Sequence, residues 1–494
     1  MINNNSKFHS HKASHKLNKN LNVNSLRRYF IFIFLLYTYY LSVLLINNEY
    51  LFEFTNWIGP LLLCFISIYT TYQFVKKNSV AIWTPLPWFL GATALYWGFG
   101  PLLYTFAGPN EILSAHSLYK INNITLLRTN ILNTFGTMTV IATFITIQNR
   151  IHFNHIRRSF DKTIPIYKIK QIAILFLIVG GIIEYGFALP YEFGMANSIL
   201  PGTVLGLSNL IILALLIFGY LSSLEGGKWK IIFVSLFIIE LAVNILRFSK
   251  TALMLVIILG TLGVYFGNNK IKTLVIGLIL CAITFYFYNN IVRTGRFEII
   301  KMSGTHYSAT LSERLNIFKK MLKKNKTINV KNKMGMWGRI NYANVQAFAM
   351  DQYDAGYPGH DFNNIFWALI PRKIIPSKPI MTSAGLGFYT LLRKQQGSSL
   401  GITVFADAYY HGGWIMVVIV SIVIGLIFSL ISRIASIVMS NKAIIFLPCI
   451  FYGIKMGYRI DGRFVADYVG SFVICVGYFV IIYYFLFNQR KTVF

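Results

Sequence analysis

The sequence predicts an all-α polytopic membrane protein of about twelve transmembrane helices, with one large extracytoplasmic loop between helices 9 and 10. Three observations carry that prediction. Of 494 residues 55% are hydrophobic and only 13% are charged, with mean hydropathy +0.56, a balance that soluble domains do not keep. Apolar runs long enough to cross a hydrocarbon core of roughly 30 Å recur along nearly the whole chain. None alternates with period two, so helices rather than barrel strands do the spanning.

The runs fall at about 29–46, 57–75, 86–107, 131–147, 171–190, 203–223, 229–246, 251–267, 273–289, 413–432, 443–458 and 468–487. The third carries Pro87 and Pro101 and the eleventh is short and contains Lys455, so ten to thirteen spans fit the pattern. Residues 1–28 are polar and basic, rich in Asn, Ser and His, and read as a disordered cytoplasmic tail with no cleavable leader. The expected organisation is then helices 1–9 over 29–289, an outer loop over 290–412, helices 10–12 over 413–487 and a second cytoplasmic tail over 488–494.

Charge sets the orientation, because short cytoplasmic loops keep an excess of Lys and Arg. One alternate set of connections holds most of the cations: the N-terminal tail, Lys76-Lys77, the 148–170 loop, Lys228/Lys230, Lys270/Lys272, Arg433/Lys442 and Arg490-Lys491. The other short connections hold Lys120, Arg128, Arg247, Lys250, Arg459 and Arg463. Both termini are therefore expected in the cytoplasm. The segment 290–410 then lies outside, with 17 Lys and Arg against six Asp and Glu. A connection of that length is usually functional, and its charge calls for an anionic partner.

Several chemistries lack their signatures. Cys64, Cys281, Cys449 and Cys475 all lie in apolar runs, without CxxC or His partners at ligand spacing, so neither a disulfide framework nor a zinc site is expected. There is no P-loop, dinucleotide-binding glycine motif, HExxH or GxSxG. No DxD pair stands in an outer loop to hold a nucleotide-sugar through metal. Neither a metal, a cofactor nor a nucleic-acid partner is indicated.

Candidate residues cluster in the outer connections. Arg247 and Lys250 lie between the seventh and eighth spans, Arg293 and Arg296 follow the ninth, and Arg459 and Arg463 separate the last two. Such arginines either snorkel to lipid phosphates or grip a diphosphate bidentately. The run Asp351-Gln352-Tyr353-Asp354-Ala355-Gly356-Tyr357-Pro358-Gly359-His360-Asp361 reads as a loop, with carboxylates and an imidazole beside aromatic rings. That composition suits either a polar turn or activation of a sugar hydroxyl. Trp367, Pro371-Arg372-Lys373, Pro376 and Lys378-Pro379 form a rigid basic elbow, and Asp407, Tyr409 and His411 lead into the tenth span. Glu184 and Glu240, inside spans, are functional candidates as buried ionisable groups.

The whole-chain architecture, together with Leu246-Arg247-Phe248-Ser249-Lys250-Thr251, the stretch Phe366 to Pro379 and Phe405-Ala406-Asp407-Ala408-Tyr409-Tyr410-His411-Gly412-Gly413-Trp414, resembles the Wzy-type oligosaccharide repeat-unit polymerases of O-antigen and capsule synthesis. The chain departs from that pattern at His411-Gly412-Gly413, where Asn-Phe-Gly is more usual. The resemblance implies a multi-pass protein of the bacterial cytoplasmic membrane that joins undecaprenyl-diphosphate-linked glycans on the outer face. It implies contact with membrane lipids, and a chain-length regulator and a flippase as partners. In that scheme Arg247, Arg293 and Arg372, helped by Arg459 or Arg463, stabilise the departing diphosphate. Asp354, His360, Asp361 or Asp407 takes the acceptor proton, and Tyr353, Tyr357, Trp367 and Tyr409 are sugar platforms, with Lys250, Arg296 and His411 also on the substrate. An O-antigen-type ligase and a polysaccharide flippase or other transporter are the alternatives.

Overall fold

The computed structural model describes residues 23–148, 150, 164–196, 207–303, 309–323, 336–360, 362, 365–366, 384–393, 401–441 and 443–487. Among them the chain is helical and has no strand. Nine of these helices are long and apolar enough to cross a membrane: Glu49–Lys77, Asn123–Gln148, Ile166–Glu192, Leu207–Glu225, Gly227–Leu246, Lys250–Asn268, Ile271–Ile299, Val404–Ser440 and Phe464–Tyr484. The protein is thus an all-α, multi-pass membrane protein.

Local sequence explains the boundaries. The Asn48 side chain accepts the amide hydrogens of Tyr50 and Leu51, and Glu49 opens and Lys76-Lys77 closes the helix that follows, in line with its dipole. The three remaining predicted positions are also helical but differ in kind. The first is the Val23–Ile46 helix, apolar over Leu35–Ile46, and Ile444–Tyr458 is a shorter apolar helix. The third position is interrupted: Pro85–Thr93 passes through a π turn at Ala94–Phe99 and a 3-10 turn at Gly100–Leu102 before Leu103–Phe106. Pro101 has no amide hydrogen to donate, and the helix loosens just ahead of it.

The chain divides into two compact units. The first comprises Met1–Lys162, Asn332–Ile370 and Ile375–Phe494, and the second is chiefly Thr163–Lys331. The 290–410 segment contributes residues to both units.

In the first unit the Asn123–Gln148 and Val404–Ser440 helices cross closely. A Cβ at Gly136 would stand 2.5 Å from the Phe405 ring, so only glycine admits the contact. Phe405 packs on Trp97 at 4.9 Å between ring centroids, and Phe89 meets Phe428 at 5.5 Å. The helix beginning at Val404 breaks at Gly412 and Gly413, and Gly413 has φ +61°, a conformation that favours glycine. The predicted start of the tenth span, 413, is this break. The stretch before it is a separate short helix.

The Ala343–Asp354 helix is inserted among these elements. Gln346 and Asn133 exchange hydrogen bonds at 2.7 and 3.0 Å, and Gln346 also donates to Thr403 at 2.9 Å, so buried amides satisfy one another. The 351–361 run was expected to be a loop throughout. Instead the helix continues to Asp354 and ends in a Schellman cap, with Gly356 at φ +83° and the amides of Gly356 and Tyr357 donating to Tyr353 and Gln352.

The second unit packs through small residues. A Cβ at Gly219 would lie 3.0 Å from the Gly260 carbonyl, so the backbones of Leu207–Glu225 and Lys250–Asn268 run close together. Its last long helix continues from Ile271 to Ser303, past the predicted end at 289.

Candidate functional site

Arg128 sits in the second turn of the Asn123–Gln148 helix, and Asp351 and Asp354 share the last turn of Ala343–Asp354, three residues apart on one face. Its guanidinium forms an ion pair with Asp354 and lies 3.6 Å from Asp351 Oδ1. Two carboxylates at a helix C-terminus oppose the dipole, and the arginine offsets both. Tyr119 donates its hydroxyl to Asp351 Oδ2 at 2.8 Å, and Tyr409 donates to Asp354 Oδ1 at 2.9 Å while accepting from Arg128 at 3.3 Å. Burial, reinforced by the bond to Asp351, pushes the Tyr119 hydroxyl up to about 12, so it remains a donor. The three charged side chains are 30–37% exposed, open to a solute. Tyr353 and Trp414 stand edge-on to Tyr409, each with centroids 5.4 Å away.

Asp407 lies on the short helix that also bears Tyr409. Its Oδ2 accepts the Phe464 amide at 3.0 Å, and its Oδ1 is 3.9 Å from the Arg463 guanidinium. His411 Nδ1 is 2.7 Å from the Asp407 carbonyl oxygen and 3.7 Å from Oδ1. Nδ1 is the donor in that bond, because a carbonyl oxygen only accepts. The ring stacks on Phe362 at 4.2 Å, and a Cβ at Gly359 would stand 2.6 Å from Nε2. Both side chains are enclosed, at 1–2% exposure.

Beside them Arg459 spans Asp461 at 3.3 Å and Asp467 at 3.2 Å, and Asp467 Oδ2 also accepts the Arg463 amide at 3.0 Å. Burial raises the Asp461 carboxyl above its ordinary range, with Arg459 opposing. Asp467 belongs to a π turn, Phe464–Val469.

The second unit builds a comparable arrangement by itself. Arg247 pairs with Glu184 and with Glu192 at 2.5 Å each, and Glu184 opens a π turn, Glu184–Ala188. Burial works against the charged guanidinium, but the two carboxylates outweigh it and hold its pKa above the usual value. Tyr185 donates to Glu240 at 2.6 Å, and Glu240 is buried. Lys250 bonds Asn289 and lies 5.9 Å over the Phe285 ring. Arg296 donates Nε to the Phe248 carbonyl at 2.8 Å and makes no ion pair among the described residues. Among the described residues, arginine bridging two carboxylates thus occurs at Arg128, Arg247 and Arg459.

Of the residues singled out in the sequence, the structure brings together Tyr353, Asp354 and Tyr409, and, along the same short helix, Asp407 and His411 with Arg463. Tyr357 and His360 follow Asp354 and are exposed. Arg293 lies on the Ile271–Ser303 helix, and its side chain is outside the described set, as are Asp361, Trp367, Arg372 and the rest of the basic elbow. Sequence reasoning missed Arg128 as a ligand of Asp354, and missed Tyr119, Glu192, Asp461 and Asp467 altogether. Only the last two carried a signal, as acids flanking Arg459 and Arg463 within nine positions. Among the described residues no three His, Cys, Asp or Glu side chains gather as metal ligands. No known family model matches the chain, and no curated protein or solved structure matches it.

Proposed function

We propose that this protein is a polysaccharide polymerase that joins undecaprenyl-diphosphate-linked oligosaccharide repeat units on the outer face of the bacterial cytoplasmic membrane. In this reading twelve helical segments span, and both termini are cytoplasmic. The observation that carries it is the Arg128–Asp351–Asp354 fork with Tyr119, Tyr353 and Tyr409: solute-accessible carboxylates held in place beside aromatic rings, in a multi-pass protein. Carboxylates and planar guanidinium fit sugar hydroxyls, and the tyrosine rings fit the apolar faces of pyranoses.

In the proposed reaction Asp354 accepts the proton of the acceptor hydroxyl. The freed oxygen forms the new bond to the donor's anomeric carbon, and the old bond to the diphosphate oxygen breaks with its electron pair going to polyprenyl diphosphate. Arg463 stabilises that departing charge. Asp407 orients His411 and Arg463 rather than meeting substrate, since it is enclosed. Arg247, Arg293, Arg296, Lys250 and Arg372 remain candidates for the lipid diphosphate. Arg296 is the best placed of the described guanidinium groups in the second unit, because Arg247 is already neutralised by two glutamates and Arg314 is buried on backbone carbonyls.

Deletion of the gene, followed by size separation of surface polysaccharide, tests the reading. Single repeat units without a ladder, restored by wild type but not by equally expressed Arg128→Ala or Asp354→Asn, support a polymerase. Long chains still attached to the lipid carrier indicate a ligase.

A second reading has its own observation. Glu184, Glu240 and Arg247 form a charged network inside and at the end of apolar spans, which suits a carrier. Loss of even single repeats from the outer face after deletion would favour it.

A further inference from the structure

We propose that the Leu311–Lys323 helix is a fixed docking surface for anionic phospholipid headgroups. The helix is capped before it begins: Glu313 accepts the Thr310 amide at 2.7 Å and its hydroxyl at 2.9 Å, and the Glu313 amide returns to Thr310 at 3.4 Å, a capping box. One side is buried, with Ile317 in a cluster with Phe248, Tyr288, Val292 and Ile299, and Phe318 and Met321 against it.

Arg314 locks the helix to the ends of two spans. The residue is 3% exposed, donates to the carbonyls of Ala309, Leu246 and Glu192 at 3.0, 3.4 and 3.0 Å, and lies 5.2 Å over the Phe193 ring. Leu246 and Glu192 are the last residues of Gly227–Leu246 and Ile166–Glu192. The helix is therefore held at the membrane boundary. Its opposite side exposes Ser312, Leu315, Asn316, Lys319 and Lys320, and neither lysine has a carboxylate partner among the described residues.

Helix length places this side at headgroup depth. From Ile271 to Phe297 the neighbouring helix rises about 40 Å at 1.5 Å per residue, against a bilayer of roughly 40–45 Å including headgroups. Along that length Phe285, Tyr286, Phe287 and finally Phe297 are more than half exposed, so the lipid-facing surface continues to Phe297. Val292 and Ile299, which flank Phe297, pack in the same cluster as Ile317. Lys319 and Lys320 thus stand where phosphate groups lie, on a helix whose ordering is already complete.

The test uses the full chain in vesicles of phosphatidylcholine and phosphatidylglycerol. Spin-labelled versions of the two lipids report their relative association with the protein surface. Wild type should prefer the anionic lipid, and the preference should fade with added salt. Lys319→Gln/Lys320→Gln should weaken it by about fivefold per lysine, following the roughly 1 kcal/mol that each basic residue contributes near an anionic surface. Lys319→Arg/Lys320→Arg should retain it, which separates charge from folding. An unchanged preference in the Gln pair overturns the proposal. So does displacement of the lipid from wild type by soluble polygalacturonate, which would assign the surface to an acidic glycan. These lipid measurements do not depend on polymer formation, so their failure leaves the catalytic reading standing.

Discussion

Arg128 and Asp354, 226 positions apart in sequence, form an ion pair at the open edge of the first unit, and Tyr409 bonds to both. The pair ties the start of one long helix to the end of the inserted Ala343–Asp354 helix. Because both groups are about one-third exposed, their contribution to stability is small, about 0–1 kcal/mol for such pairs. Arg128→Ala and Asp354→Asn should therefore abolish chain growth while shifting the thermal midpoint little. Unfolding of both variants in detergent would make the pair structural instead.

Arg247 should behave in the opposite way. Removing one partner from a buried ion pair costs about 3–5 kcal/mol, because the remaining charge is left without compensation. Arg247→Ala alone should give poorly folded protein, and adding Glu184→Gln and Glu192→Gln should recover monodisperse material. Activity of that triple variant then reports whether the arginine meets substrate. Full activity removes Arg247 from the mechanism.

Gly413 breaks the helix at φ +61°, and a Cβ there would also stand 2.9 Å from the Tyr353 ring. Gly413→Ala should destabilise by about 1–3 kcal/mol and disturb Tyr353 and Tyr409. Thermal unfolding measures the first effect and the glycan ladder the second. Gly412→Ala, at φ −174°, should be milder.

His116 gives a pH signature. Burial, with Lys120 adding, lowers its pKa below 6.5. A folded-state value below the unfolded one means that the contribution to stability is present above about 6.5 and is lost as pH falls through the folded value. The midpoint of wild type should fall on acidification from pH 7, and that of His116→Gln should fall less. Equal slopes would contradict the assignment.

Much of the fold was legible because hydropathy and spacing are local properties. Nine of the twelve apolar runs are long helices, and Gly412-Gly413 stands at the expected start of one of them. Pro358 and the glycines around it led to a loop reading for all of 351–361, yet Gly356 acts as the cap of a helix that lasts to Asp354. Part of the candidate site was legible for the same reason: Asp354, Tyr353 and Tyr409 announce themselves by residue type. Pairings were not. Nothing local connects Arg128 to Asp354, and Arg247, read as a partner of lipid phosphate or of a diphosphate, is held by Glu184 and Glu192, eight residues apart across a π turn that alters their register.

Glycosyl transfer between two lipid-linked substrates is open to test by reconstitution. Purified protein in vesicles is given a polyprenyl-diphosphate-linked repeat unit, and the products are separated by size. Wild type should give chains of two or more repeats with matching release of polyprenyl diphosphate, and neither Arg128→Ala nor Asp354→Asn should. Repeat units that cross the bilayer without growing would contradict it.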